Sequence, residues 1–382
     1  MVSRRLQNIE ESATLRMTNL ANELNREGHD VISFTLGEPD FDTPEHICDA
    51  AVKSLRRGDT HYSPSPGISE LRFAIAEKLN NENHLNVEPS HVIVTPGAKQ
   101  AVFEAILAVL DEGDEAILFD PAWVSYDPCI RITGGKTVWV PLDPENDFNP
   151  SNISQYITPK TKLIIVNSPS NPTGGIFCVD TLQEIADLAI DHNIMVLSDE
   201  IYEKIIYDKE HFSIGSLPGM EEHTITVNGF SKAYAMTGWR LGYLATSHEV
   251  YKSMSKLQSH SVSSAATFVQ WAGVEALKGD QSSINEMTVE FKARRDLLVD
   301  GLNRIGIKCN YPCGAFYVFA NVSEYGDGDA ICEYLLTKSH VATTPGSAFG
   351  PNSRDFIRIS YAASRERIYT ALDRIEKALS EY

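Results

Sequence analysis

The chain has no apolar run near the roughly 18 residues that would mark a membrane-crossing helix. Residues 1–11 carry two arginines but no apolar centre, which argues against a secretory leader. A cytoplasmic location is the expectation that follows. Basic residues are few: 33 Lys and Arg stand against 52 Asp and Glu, a formal charge of −19. Such a surface repels nucleic acid and anionic lipid, so neither is an expected partner. It leaves room for a small anionic substrate, because a local cluster of cations can reverse the field in one cleft. The charged share is only 22%, so the acidity reads as solubility rather than salt adaptation. Cysteine is scarce as well. Cys48, Cys129, Cys178, Cys309, Cys313 and Cys332 form no Cys-x-x-Cys pair. Cys309 and Cys313 have no second Cys or His pair nearby, so no metal site is expected and the six read as buried, reduced thiols. Repeats and low-complexity stretches are absent.

What is present is an ordinary globular composition, 42% hydrophobic over 382 residues. At about 100–200 residues per domain, this length predicts two or three domains. Short apolar runs at 91–95, 115–119, 137–140, 163–166, 194–197, 224–227 and 241–245 read as strands. Helical periods lie between several of them, at 100–110 and 181–191. Alternating β and α units predict an α/β fold: a large domain with a mostly parallel, seven-stranded sheet covered by helices. Ligands of such sheets sit beyond the carboxyl ends of the strands. After about residue 280 the pattern changes to a long charged helix at 282–305, strands near 314–320 and 356–360, and a last helix at 364–381. This predicts a smaller α/β domain over 281–382. The large domain spans 46–280, and residues 1–45, with a helix at 14–27, pack with the small domain.

Four segments carry chemistry. In Ser231-Lys232-Ala233-Tyr234-Ala235-Met236-Thr237-Gly238-Trp239-Arg240, a lysine follows a strand among small and aromatic residues. Desolvation there yields a neutral, nucleophilic amine, and Arg240 is placed to clamp an anion beside it. Alone, Lys232 reads as an ordinary exposed lysine. Ser198-Asp199-Glu200-Ile201-Tyr202 puts an Asp at the carboxyl end of a strand, suited to a pyridinium nitrogen, with Tyr202 three residues on. A turn or cap residue is the alternative. Asn167-Ser168-Pro169-Ser170-Asn171-Pro172-Thr173-Gly174-Gly175 is a loop stiffened by two prolines that presents Asn171. In Thr95-Pro96-Gly97-Ala98-Lys99-Gln100, free N–H groups at a helix start form a phosphate cradle, although glycine at such turns is common. Trp123 is placed either to stack on a planar ring or to fill the core.

Taken in this order, Ser-Pro-x-Asn-Pro-Thr-Gly, Ser-Asp-Glu-x-Tyr and Ser-Lys-x-x-x-x-x-Gly-x-Arg resemble the fold-type-I pyridoxal-phosphate aminotransferases. The likeness is to the bacterial and archaeal branch of the class I aspartate aminotransferase group and runs from about Ser12 to the C-terminus. It implies that Lys232 holds pyridoxal 5'-phosphate as a Schiff base and moves the proton. It implies Asp199 as partner of the pyridine nitrogen, and Asn171 and Tyr202 as donors to the phenolic oxygen. Trp123 would stack on the ring. Ser231, Arg240 and the turn Gly97, Ala98 and Lys99 would form the phosphate cup. Tyr62 would reach the phosphate of a neighbouring subunit, which implies a homodimer with shared sites. Gly229 departs from relatives that place a phosphate-binding Ser there. Arg358, by itself a surface strand residue, matches the arginine that takes the substrate α-carboxylate, with further contacts from Asn171, Trp123 and the backbone of Gly37. Lys99 and the segment Ser12-Ala13-Thr14 match contacts for a distal carboxylate. Aspartate and glutamate, with their oxo acids, are therefore the expected substrates in a ping-pong reaction. Prephenate, aromatic or alanine-type substrates remain alternatives, as does a β-lyase on the same fold. A regulator that senses the cofactor would need a DNA-binding domain, which the chain has no room for.

Overall fold

The apolar runs become strands because β-branched residues fill them and both faces are covered. The structure, a computed structural model, describes residues 3–7, 9 and 13–382. Its strands are β1 (Ile32–Ser33), β2 (Val92–Thr95), β3 (Glu115–Asp120), β4 (Lys136–Asp143), β5 (Asn149–Pro150), β6 (Thr161–Asn167) and β7 (Met195–Asp199). They continue with β8 (Thr224–Gly229), β9 (Gly242–Thr246), β10 (Tyr317–Asn321), β11 (Val341–Ala342), β12 (Thr344–Pro345) and β13 (Phe356–Ser360). All seven long strands expected for the main sheet are present. A two-residue eighth, β5, pairs antiparallel with β4 at one edge. The order is β2-β9-β8-β7-β6-β3-β4-β5. β8, β7, β6, β3 and β4 run parallel to one another, and β9 runs antiparallel to both of its neighbours.

The strands alternate side chains between two cores, as their period of two requires. Leu118, Ile165 and Val227 pack on one face with Ala101, Ala105 and Ile106 of the helix Ala98–Val109. Ile117, Ile164 and Val196 pack on the other with Leu182, Ile185 and Ala189 of the helix Val179–His192. The sheet is thereby dry on both sides, which is why its strands read as continuous apolar runs.

A second unit is built on the antiparallel sheet β10-β13-β12. The helices Ser282–Arg304 and Arg365–Leu379 supply Phe291, Leu298, Leu302, Leu372 and Ile375 to its core. Met17 and Ala21 of the helix Ala13–Arg26 enter the same core, and β1 pairs parallel with β11. The helix Ala13–Arg26 and β1 thus join the C-terminal unit. One expectation fails in detail. All six cysteines are free thiols, but only Cys332 is buried: Cys48, Cys129, Cys309 and Cys313 are half-buried, and Cys178, at the cap of the helix Val179–His192, is exposed.

Candidate active site

The carboxyl ends of β2, β3, β6, β7 and β8 open onto one cavity of about 370 Å³, closed from the far side by Tyr317 and Arg358. Asp199 is the last residue of β7 and is buried. The hydroxyl of Tyr126 donates to its Oδ2 at 2.7 Å, and the amide of Ile201 to its Oδ1 at 3.3 Å. The adjacent strand end fixes it further: Asn167 pairs with it in register and donates Nδ2 to its carbonyl at 3.0 Å. Burial pushes the Asp199 carboxyl up to about 6, against the bond from Tyr126. A cationic partner in the cavity would stabilise its charge strongly, since burial leaves so little water to do so.

Lys232 sits in the turn after β8, half-buried, and its Nζ donates to the carbonyl of Gly37. Burial pulls its pKa down to about 8. Glu38 opposes that shift, and the cations Arg240 and Arg358 add to it. A lysine so placed supplies a neutral amine close to ordinary pH.

The cup beside it depends on two glycines. Gly97, at φ +85°, starts the helix Ala98–Val109, and a Cβ there would lie 2.5 Å from Nη2 of Arg240. A Cβ on Gly242 would lie 2.3 Å from the amide nitrogen of Ala98. The first turn of a helix leaves its N–H groups outside the helix's own bonding. Here that turn, the guanidinium of Arg240 and the buried Ser231 converge on one end of the cavity, a setting for an anion. Arg240 is held in place by a bond from Nη1 to the carbonyl of Thr237, 2.9 Å.

Arg358 is 2% exposed, so its reading as a surface residue is corrected. It lies on β13, the central strand of the small sheet, and Tyr317, Phe349 and Asn171 cover its side chain. Its Nη1 donates to Oδ1 of Asn171 at 3.1 Å, and its Nη2 to the carbonyl of Thr35. Its guanidinium lies 4.8 Å from the ring centre of Tyr317 and 5.0 Å from that of Phe349. Nε has no partner among the described residues. Arg358 lines the cavity and has no carboxylate partner among the described residues, and a buried cation left so is an incomplete ion pair that an arriving carboxylate completes. Lys99 is exposed but lines the cavity elsewhere, 4.9 Å from the ring of Trp123, and partial desolvation, then the charge of Arg240, lowers its pKa.

The cavity thus brings together Gly37, Ala98, Lys99, Trp123, Asn171, Asp199, Tyr202, Ser231, Lys232, Arg240 and Arg358. Gly97 stands behind the cup against Arg240. Tyr62 is apart from them and 92% exposed. Gly229 faces Gly242 across β8 and β9, where a Cβ would meet the Gly242 Cα at 3.0 Å, so the backbone fit itself disfavours a side chain there. Ser12 lies outside the described residues, and the side chains of Ala13 and Thr14 with it. Sequence reasoning missed Tyr126, Asn167 and Tyr317. The hydroxyl of Tyr317 is 2.8 Å from that of Tyr202.

Residues 29–375 match the model of a family described as aminotransferase class I and II. The chain belongs to this family. It is therefore an aminotransferase, and its sheet order and two-unit plan are those of fold type I. The chain is 45% identical to the aspartate/prephenate aminotransferase of Thermus thermophilus, over 99% of this chain and 98% of that protein. It is 41% identical to aromatic-amino-acid aminotransferase 2 of Thermococcus litoralis, over 100% of this chain and 98% of that protein. Among solved structures, aspartate aminotransferase from Thermus thermophilus with maleate superposes with a TM-score of 0.95 at 44% identity, covering 99% of each chain. Among the described residues, no helix is long and apolar enough to cross a membrane.

Proposed function

We propose that this aminotransferase uses pyridoxal 5'-phosphate and moves the amino group of aspartate to 2-oxoglutarate. One observation carries the substrate reading. The cavity that holds Lys232 and Asp199 is lined by two separate cations, Arg358 and Lys99, in addition to the Arg240 cup. An acidic amino acid has two carboxylates to offer them. The relatives named for aspartate point the same way.

The residues present fit the cofactor. The close approach that Gly97 and Gly242 permit leaves helix-start amides and Arg240 for a phosphate. Asp199 is a buried carboxylate suited to a protonated ring nitrogen, Trp123 offers a ring face, and Asn171 and Tyr202 offer donors. When bound, the cofactor supplies an electron sink for the pair released from the substrate Cα–H bond. The protein's own part is orientation and proton movement. Arg358 fixes the α-carboxylate and with it the direction of the Cα–H. Neutral Lys232 takes that proton at Nζ and returns it one position away. Asn171 is held for both tasks, by its amide bond to Asn167 Oδ1 at 2.8 Å and by Arg358. The exposed Tyr62 is free to enter a neighbouring subunit, which supports a homodimer with shared sites. We divide the chain at 1–45, 46–280 and 281–382, because the first and last segments share a core.

Leu15, Leu36 and Val124 also line the cavity, which favours a second reading in which prephenate or aromatic donors are accepted too. Single-turnover absorbance of the loaded enzyme, with each amino acid added separately, tests both. Fast conversion with aspartate and glutamate, and slow conversion with alanine and phenylalanine, is the expected result. Fast conversion with alanine or phenylalanine alone removes the acidic pocket. Ammonia release without an oxo-acid acceptor would make the enzyme a β-lyase instead.

The cup yields its own expectation. Gly242→Ala forces a methyl against the Ala98 amide, so the cofactor dissociation constant should rise about 5- to 150-fold, the 1–3 kcal/mol of an overpacked contact. Fluorescence titration of the cofactor-free protein measures it, and an unchanged constant would place the phosphate elsewhere.

A further inference from the structure

The turn after β7 has two faces. Asp199, Ile201 and Tyr202 line the cavity. Glu200 and Glu203 point the other way, into a buried polar cluster that no step above uses. The Glu200 carboxylate accepts four bonds there. Ser198 Oγ gives one at 2.9 Å and Ser213 Oγ one at 2.6 Å to Oε1. Asn83 Nδ2 gives one at 2.8 Å to Oε2, and His211 Nε2 lies 3.0 Å from the same oxygen. Glu203 accepts from Asn83 Nδ2 at 2.6 Å and from the ammonium of Lys78. His211 Nε2 also stands 3.9 Å from Glu203. Lys78 and Asn83 come from the helix Ser69–Glu82 and its C-terminal cap, so the cluster ties the turn to a different layer of the fold.

The charges in this cluster do not balance without His211. Two carboxylates and one ammonium leave one negative charge, and a protonated imidazole cancels it. The charged groups facing the ring are Glu200 and Glu203 from the turn and Lys78 from the helix. At the rim, Lys204 and Lys78 share Glu82, at 2.7 Å and 3.7 Å. An uncompensated buried charge is costly, and here it would sit one residue from Asp199. Glu200 already raises the pKa of Asp199, so extra negative charge behind the turn works against the charged form of Asp199.

We propose that His211 is a positioning residue: bound to Glu200 and close to Glu203, it locks the back of the 199–203 turn, balances its charge, and so holds Asp199 and Tyr202 in place for the cofactor. This rests on the assignment of Asp199 and Tyr202 made under Proposed function. Burial opposes the charge on His211, but Glu200 and then Glu203 outweigh it, while Lys78 works against them, and its pKa is raised. The sign follows. The contribution is fully present below the ordinary histidine value of about 6.5 and is lost as pH rises through the raised value in the folded protein.

The test uses the full chain with and without pyridoxal 5'-phosphate. In His211→Gln, the cofactor dissociation constant should rise about tenfold below neutral pH, and the pH at which the bound cofactor's absorbance titrates should move. His211→Lys, with a cation that persists to higher pH, should restore the constant and remove its alkaline rise. Ser213→Ala deletes one donor to Glu200 with almost no change of volume, and should weaken the cofactor in the same direction by about threefold. If His211→Gln does not fold, the pH dependence of the wild-type constant carries the decision, and a constant that stays flat on the alkaline side overturns the role of His211. Wild-type constants and an unmoved absorbance titration in the folded variants overturn the role of His211, even if the melting midpoint falls. A wild-type chain that takes up no cofactor takes down both readings, so the two failures are distinguishable.

Discussion

Lys232→Ala should lose at least about 10⁴-fold in kcat, because it removes nucleophile and proton carrier together. Both tasks fall to one amine here. Lys232 is the cavity's half-buried lysine, beside Asp199 and Tyr202, while Lys99 stands off against Trp123. Stability should change little, because the substitution removes a desolvated ammonium along with its bond to the Gly37 carbonyl. Borohydride reduction should fix the cofactor to the wild-type chain and not to the variant. The same amine sets a pH dependence. With a pKa of about 8, its neutral fraction falls about tenfold per unit below that value, so cofactor capture by the cofactor-free protein should slow in step as pH drops from 8 to 6. Stopped-flow absorbance follows this directly. Near-normal turnover in Lys232→Ala, or a capture rate flat across that range, would show that another group does the work.

The residues of this site differ in how far the sequence exposes them. The main strands are legible because buried parallel strands leave unbroken apolar runs such as Val92–Thr95 and Thr224–Gly229. β1, β5, β11 and β12 are two residues long and exist only by pairing, so no local pattern announces them. Lys232, Asp199 and Asn171 stand in short motifs whose spacing is informative because each motif spans one strand end and its turn. Tyr126 and Tyr317 lie in no motif. Each reaches the cavity from a distant segment, and each reads locally as an aromatic core residue until its hydroxyl is seen 2.7 Å from Asp199 or 2.8 Å from Tyr202. His211 is hidden for a related reason: it meets Glu200 and Glu203 inside a cluster that Lys78 and Asn83 complete, and these lie more than a hundred residues away. Arg358 is the intermediate case. Its strand is legible, but its burial depends on Asn171, Tyr317 and Phe349, which come from other segments.

That burial is what makes Arg358→Lys informative. Lysine keeps the charge but has neither the planar fork nor the length to bridge Asn171, Thr35 and an incoming carboxylate at once. Disrupting a buried ionic contact of this kind costs about 3–5 kcal/mol, so kcat/KM should fall by about 10²- to 10⁴-fold. The loss should be the same for aspartate and alanine, because both present an α-carboxylate. It should include kcat as well as KM, since a substrate held by one bond instead of two no longer points its Cα–H at Lys232. Lys99→Ala should behave differently. It should lower kcat/KM for aspartate and glutamate by about 10- to 100-fold, the worth of a charged hydrogen bond, and leave alanine nearly untouched. The ratio of aspartate to alanine therefore separates the two cations: constant in Arg358→Lys, collapsed in Lys99→Ala. The bound cofactor's absorbance serves as the internal control, and should be retained in both. Equal losses for the two amino acids in Lys99→Ala would remove that lysine from the distal pocket. A selective loss for aspartate in Arg358→Lys would exchange the two assignments, and would turn the substrate end for end in the cavity.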